Sequence, residues 1–305
     1  MWSAGFTAVV MYLFLGANLF RRRSPYFHDR GGVAAPTGEW ADHPVKLVAT
    51  PWGKTQKDDL LTTAATHMAL LHNSLIRGFN SIYLQAPHVQ MVDVDDFIGY
   101  ALTWHKFMVS HHDDEEGKLF PEMVEILGDA EIWGDMQAEH ESFLPGLKSL
   151  ETHLKTHNST TGLSPSALLA IMDSFRDDLE NHLHHEVQVM NAMSSHRNVP
   201  ARESLKEAVA SDMLKAWGKN TVTKAGYGDV LPFFLLNTDR TFEDGAWVKW
   251  PKMPEPVRWS MANLVGMWHG PRWKFASCDV LGRPRELYAL TAEKEGREAK
   301  DKSEL

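Results

Sequence analysis

Cysteine is nearly absent: Cys278 is the only one among 305 residues. That excludes an internal disulfide framework, and with it thiolate-rich zinc and iron–sulfur sites, which need several cysteines. One thiol suits a reducing compartment. Positive charge is also in deficit. The formal net charge is −9; residues 1–30 hold four arginines and one aspartate, so the remainder has 27 basic and 39 acidic side chains, a net −12. A body of that sign repels phosphate, which excludes nucleic acid as a partner. Long uncharged runs are scarce too. The notable one, Trp2–Phe20, has no charge in 19 residues and as a helix would span ~28 Å, close to a hydrocarbon core. Arg21-Arg22-Arg23 follow at once. A secretory signal would carry its positive charge before the apolar stretch and end in small residues. The run is therefore read as a transmembrane anchor, with membrane contact through residues 2–20 and the rest facing the cytosol.

Histidine is plentiful, with 16 copies. The chain is organised around Phe97–Glu122, and above all around His111-His112-Asp113-Asp114-Glu115-Glu116 followed by Leu119-Phe120-Pro121. As a helix, Phe97, Ala101, Trp104, Met108, His111, Glu115 and Leu119 form one stripe. A core face that turns from apolar to imidazole and carboxylate costs several kcal/mol unless the polar groups find partners. A metal removes most of that penalty, because His nitrogen and Glu oxygen one turn apart can chelate one ion. The competing reading is a solvated acidic face with two surface histidines.

In chain order, His28–Gly53 is rich in Gly, Pro and Trp without a period and reads as a linker or packing arm. A first long helix runs from near Asp58 to before Pro87, with His72 inside the apolar stripe of Met68, Leu71, Leu75, Ile76, Phe79, Ile82 and Tyr83. Asp93–Asp96 offers N-caps for a second helix that reaches about Gly128. A third spans about Ala130 to Lys155 with the stripe Ile132, Met136, His140, Phe143/Leu144 and Leu147, and Pro145 should kink it. Ser164-Pro165 caps a fourth, whose stripe is Met172, Phe175, Leu179, His182, Glu186, Val189 and Met193. His184 and His185 point off that stripe, as surface residues or supports for a site; His67 points away from the stripe of His72, and His153 and His157 read as structural. Pro200 opens a shorter helix to about Trp217. Asp229–Leu290 is too aromatic for disorder, lacks a period, and should wrap the helices. The expected organisation is an anchor at 1–23, an arm at 24–57, an all-α up-down-up-down four-helix bundle at 58–195, and an extension at 196–305 packing on it.

Each of the four helices places one histidine on its inward stripe: His72, His111, His140 and His182. Two add a carboxylate one turn later, Glu115 and Glu186. Four imidazoles and two bridging carboxylates suit a pair of borderline metal ions, each with two histidines and both carboxylates.

The His-His-x-x-Glu-Glu-x-x-Leu-Phe-Pro pattern at His111–Pro121, His72-Asn73 with Arg77, Glu139-His140 and His182–Glu186 resemble the hemerythrin-like HHE domain over about residues 60–195. The tail resembles the extension of fungal members at Leu236-Asn237-Thr238-Asp239-Arg240-Thr241-Phe242 and Trp273-Lys274-Phe275. The resemblance implies a non-haem di-iron centre that binds O2, nitric oxide or iron itself, with His72, His111, Glu115, His140, His182 and Glu186 as ligands. A register one residue on, His112 with Glu116, fits the same motif; the distance to Leu119-Phe120 favours His111 and Glu115. Oxygen-carrying hemerythrins have a His-x-x-x-His pair on the third helix, and Leu144 occupies the second place here. The set is then more symmetric, as in family members linked to nitric oxide and iron-centre repair, and one iron is more open.

The first functional reading is a membrane-tethered, cytosol-facing protein with two iron ions that binds O2 or nitric oxide, or senses or buffers iron. Zinc or manganese are lesser candidates for the metal. The alternatives are a di-iron oxidoreductase acting on peroxide or nitric oxide, and an iron-responsive interaction protein whose partner the residues do not name.

Overall fold

The computed structural model describes residues 40–292. Within them the chain is all-α: no β-strand occurs among the described residues, and the isolated bridges Asn158–Gly162 and Cys278–Pro284 only close turns. A short helix α1 (Pro51–Thr55) is capped by the Thr50 hydroxyl, which accepts from the Gly53 amide. Four long rods follow. Helix α2 (Leu60–Gln85) starts where the Asp59 carboxylate accepts from the Thr62 amide, as an N-cap should. Helix α3 (Val94–Asp114) runs into a π-helical turn at Glu115–Leu119 and then into α4 (Phe120–Leu127). Gly128 ends that rod with φ +62, the left-handed stop that glycine adopts without strain. Helix α5 spans Met136–Lys155, and α6 spans Pro165–Ala192 behind the Ser164 cap.

The four rods form a closed ring in which α2 packs on α3, α3 on α5, α5 on α6 and α6 back on α2. Their inward stripes supply the core, including the fully buried Phe79, Phe97, Trp104, Phe107, Phe143 and Phe175. Each such ring contributes roughly 1.5–3 kcal/mol by leaving water. Helix α5 carries Pro145 inside it without ending there, and the next residue lets α6 come close. A Cβ on Gly146 would lie 2.5 Å from the Phe175 ring.

Two helices differ from the expected spans. α5 begins at Met136 rather than near Ala130, because Gly134 at φ +53 holds 130–135 in a turn. There Trp133 stacks on Phe120 at 4.1 Å and donates its indole N–H to the Phe120 carbonyl. The next helix, α7, spans Leu205–Ala225 rather than Pro200–Trp217, because the Ser204 hydroxyl, accepting from the Glu207 amide, is the cap that forms. The membrane assignment needs correction. No helix among the described residues is long and apolar enough to cross a membrane. The long rods mix their apolar stripe with charge, as α6 does with Asp173, Arg176, Asp177, Asp178 and Glu180. The stretch 2–20 lies outside the described residues, so the expectation of a membrane-anchored, cytosol-facing bundle has no support in the structure.

The flanks of the bundle are tied in by polar side chains. The arm is held by two asparagines of α2, each using its amide as a backbone mimic. The Asn73 Oδ1 accepts from the Val48 amide at 2.7 Å and its Nδ2 donates to the Val48 carbonyl; Asn80 pairs in the same way with Val45. After α7, helix α8 (Val230–Leu236) is buried throughout and sets Phe233 against Tyr100 at 4.9 Å. Phe275 seats on Phe97 at 5.1 Å. The Lys274 ammonium donates to Asp93 at 2.6 Å and Asp96 at 2.7 Å. The most demanding tie is Arg77, fully buried, with its guanidinium between Trp40 and Phe242 and 3.2 Å from Asp239. Burial lowers its pKa, and Asp239 is among the groups that oppose the shift. Cys278 lies beside this pair, and burial pushes its thiol up to about 12, so it is no nucleophile.

Asp239→Ala is expected to cost ~3–5 kcal/mol, because it strands a buried guanidinium. Denaturant unfolding should show a lower midpoint at unchanged slope. Asp93→Ala, which leaves Lys274 paired with Asp96, should cost much less; equal losses would refute this account of the tail.

Candidate metal centre

The helix ring brings all six expected side chains to one interior place. His72 comes from the middle of α2, His111 from the last turn of α3, Glu115 from the π turn, His140 from α5, and His182 and Glu186 from α6. All six are buried, none more than 1% exposed. The His111/Glu115 register is the one that turns inward. His112 and Glu116 stay half-buried on the outer side of the same turn.

Two overlapping groups of donor atoms result among these six, and a third joins His140 to His112 and Glu116 on the outer side. His72, His111, Glu115 and Glu186 form one, and Glu115, His140 and His182 the other; within each, the donor atoms lie within 4.8 Å of one another. Glu115 belongs to both. Its Oε1 is 2.8 Å from His111 Nε2 and its Oε2 3.6 Å from His140 Nε2. Glu186 reaches His72 Nε2 at 3.2 Å and joins only the first group. The expectation that both carboxylates are shared by both positions is therefore met by Glu115 alone. The imidazoles approach in pairs through Nε2, His72 with His111 at 3.0 Å and His140 with His182 at 3.1 Å. Two donors bound at about 2.1 Å to one ion, at ~90–109°, lie roughly 3.0–3.4 Å apart.

Hydrogen bonding on the far sides of the rings sets which nitrogen faces inward. His72 Nδ1 donates to the Leu183 carbonyl at 2.8 Å, and His140 Nδ1 to Glu116 at 2.7 Å. His182 Nδ1 lies 3.4 Å from Glu139, whose other oxygen takes a 2.6 Å bond from His185. With Nδ1 protonated, each Nε2 lone pair points to the centre, the form a cation needs. His111 Nδ1 has no hydrogen-bond partner among the described residues. Trp217 of α7 instead covers the His111 ring, at 6.0 Å between centroids.

The residues fit a cation on a specific observation. All four oxygens of Glu115 and Glu186 are buried with no hydrogen-bond donor among the described residues. Buried carboxylates rarely persist so unless a positive charge replaces the missing donors. The electrostatics show how tightly the groups are coupled when no cation separates them. Burial alone would raise the Glu115 carboxyl, yet His111, His140 and His72 together hold it well below the usual carboxylate range. Burial would lower His111 and His140, but Glu115 outweighs it and both are raised. His182 is lowered, burial dominating. A cation at the centre would compete with protons for these imidazoles.

The other histidines are placed elsewhere. His184 Nε2 ties to the Lys46 carbonyl of the arm. Burial lowers His67 to about 4 beside Trp250. His153 and His157 pair with each other at 4.3 Å near the end of α5. Leu144 is half-buried against the core, one turn after His140. Sequence reasoning named Glu116 only as an alternative ligand and Glu139 only as part of a motif, and missed their place behind His140 and His182 and the π turn. The doublets Glu115-Glu116 and Glu139-His140 carried a signal for the first two. The turn had none, since helical periodicity does not distinguish a single π turn inside a rod.

Comparison with known proteins agrees with this geometry. The domain described as Hemerythrin HHE cation binding domain matches residues 63–194. The chain is similar to a protein of Cryptosporiopsis sp. (strain 8999) called Dimeric xanthone biosynthesis cluster protein R11. The two are 30% identical over 267 residues, covering 84% of this chain and 95% of the relative. No solved structure matches. An all-α ring with six inward donors, a domain match spanning that ring and a relative aligned well beyond it lead to one assignment: the chain belongs to the hemerythrin HHE cation-binding family.

Proposed function

We propose that the centre holds two iron ions: His72, His111, Glu115 and Glu186 would hold one, and His140, His182 and Glu115 the other. The observation that carries this reading is the set of four buried carboxylate oxygens without donors, facing four Nε2 atoms. Mixed imidazole and carboxylate donors suit iron in both common oxidation states; zinc and manganese accept the same donors and are the lesser candidates. An iron pair in such a cage supplies reversible binding of a small diatomic ligand, O2 or nitric oxide, or storage of iron itself.

The chain's own residues favour a small ligand. The six donors are sealed from solvent, and Phe120 and Phe143 lie over His140 and His182 at 5.7 and 5.3 Å. The relative's name points to a biosynthetic cluster for a dimeric xanthone, but a substrate of that size does not reach donors this buried without displacing a rod. Leu144 favours a second reading within the same limit. An apolar side chain one turn after His140 leaves the second position one protein donor short, which suits turnover of peroxide or nitric oxide. In this reading residues 58–195 are the cation-binding unit, and the described part of 196–305, as far as 292, braces it, with Trp217 placed beside His111.

Full-length protein purified without chelator is expected to carry about two irons per chain, with charge-transfer bands in the near ultraviolet. His111→Ala should lose at least one of them. Elemental analysis finding no metal after anaerobic iron loading would end the proposal. Removing the cations should also destabilise the fold, since it exposes the buried carboxylates to the cost of having no partner. At cation levels 1,000-fold above Kd the difference is about 4 kcal/mol. Calorimetry with and without chelator should show a clear drop in unfolding temperature, and an unchanged one would leave a cation-independent polar core.

A further inference from the structure

The two halves of the centre are not equivalent, and the difference lies one bond beyond the donors. The His72–His111 half has two carboxylates among its donors, Glu115 and Glu186, while the His140–His182 half has only Glu115. Outside the rings the balance reverses. His72 donates to a neutral carbonyl and His111 Nδ1 has no partner among the described residues. His140 and His182 each face a carboxylate, Glu116 at 2.7 Å and Glu139 at 3.4 Å. Both carboxylates are held in place: Glu116 by the π turn that also aims Glu115 inward, and Glu139 by His185 at 2.6 Å on its other oxygen.

We propose that Glu116 and Glu139 are positioning residues that supply, through the histidine rings, the negative charge the His140–His182 position lacks among its direct donors. A carboxylate accepting an imidazole N–H polarises the ring, makes its far nitrogen a stronger donor and fixes its tilt. Two such partners offset the missing carboxylate. The inference rests on the two-cation reading above and adds a role for two residues outside the donor set.

The test uses full-length protein and two probes, Zn(II) for affinity and 57Fe(II) for spectroscopy. Wild type should bind two Zn(II) per chain. In the Glu116→Gln/Glu139→Gln variant one equivalent should weaken about 10–100-fold while the other keeps its Kd. The Mössbauer spectrum of the iron-loaded variant should show one quadrupole doublet moved and one unchanged. Gln keeps an acceptor at each place, so apo-protein unfolding should match wild type, which separates this role from a structural one. In a His72→Ala background the same pair of changes should weaken the remaining cation; in a His182→Ala background it should not. Two equivalents weakened alike, or neither weakened, overturns the proposal. Wild type binding fewer than two Zn(II) and fewer than two Fe(II) overturns the two-cation reading itself, before any variant is compared.

Discussion

Two carboxylates and four imidazoles in an interior with 0–1% exposure impose the condition that the rest of the structure meets. Left alone, each buried charge costs several kcal/mol, a large part of what a domain of this kind has to spare. The aromatic rings packed around the donors keep water from softening that cost. A positive charge at the centre would lower that cost. The hydrophobic rods supply the walls, and the polar side chains supply the donors a cation would use.

The doublets in the sequence make sense in that light. His111-His112, Glu115-Glu116, Glu139-His140 and His185-Glu186 each give one residue to the interior and one to its outer rim. Neighbours on a regular helix diverge too widely for both to serve one site. The π turn at Glu115–Leu119 relaxes that limit by adding a residue to the turn, so Glu115 reaches two imidazole pairs while Glu116 backs His140. π-helical turns recur at functional sites for this kind of reason.

The segments outside the bundle follow the same logic at lower stakes. The arm is joined through side-chain amides that imitate backbone, and the tail through Arg77–Asp239 and Lys274 with Asp93 and Asp96. Trp217 is the point where the extension bears on the centre, closing over His111 from α7. The membrane placement expected from an uncharged run near the start has no support, since no helix among the described residues is long and apolar enough to cross a membrane.

Much of the fold was legible in advance because helical periodicity records which face is buried. The cap at Ser164 and the stop at Gly128 are local chemistry and stand where the residues place them, and the first rod, expected from near Asp58, is capped by Asp59. The inward positions of His72, His111, His140 and His182 were legible for the same reason: a histidine inside an apolar stripe shares that stripe's direction. Elsewhere one local signal outranked another: Gly134 moved the start of α5, and the Ser204 cap rather than Pro200 starts α7. The sharing of Glu115 but not Glu186, and the carboxylates behind His140 and His182, were set only when four rods met. A single chain's pattern gives the direction of each side chain along its own helix; the distances between side chains on different helices exist only in the packed bundle.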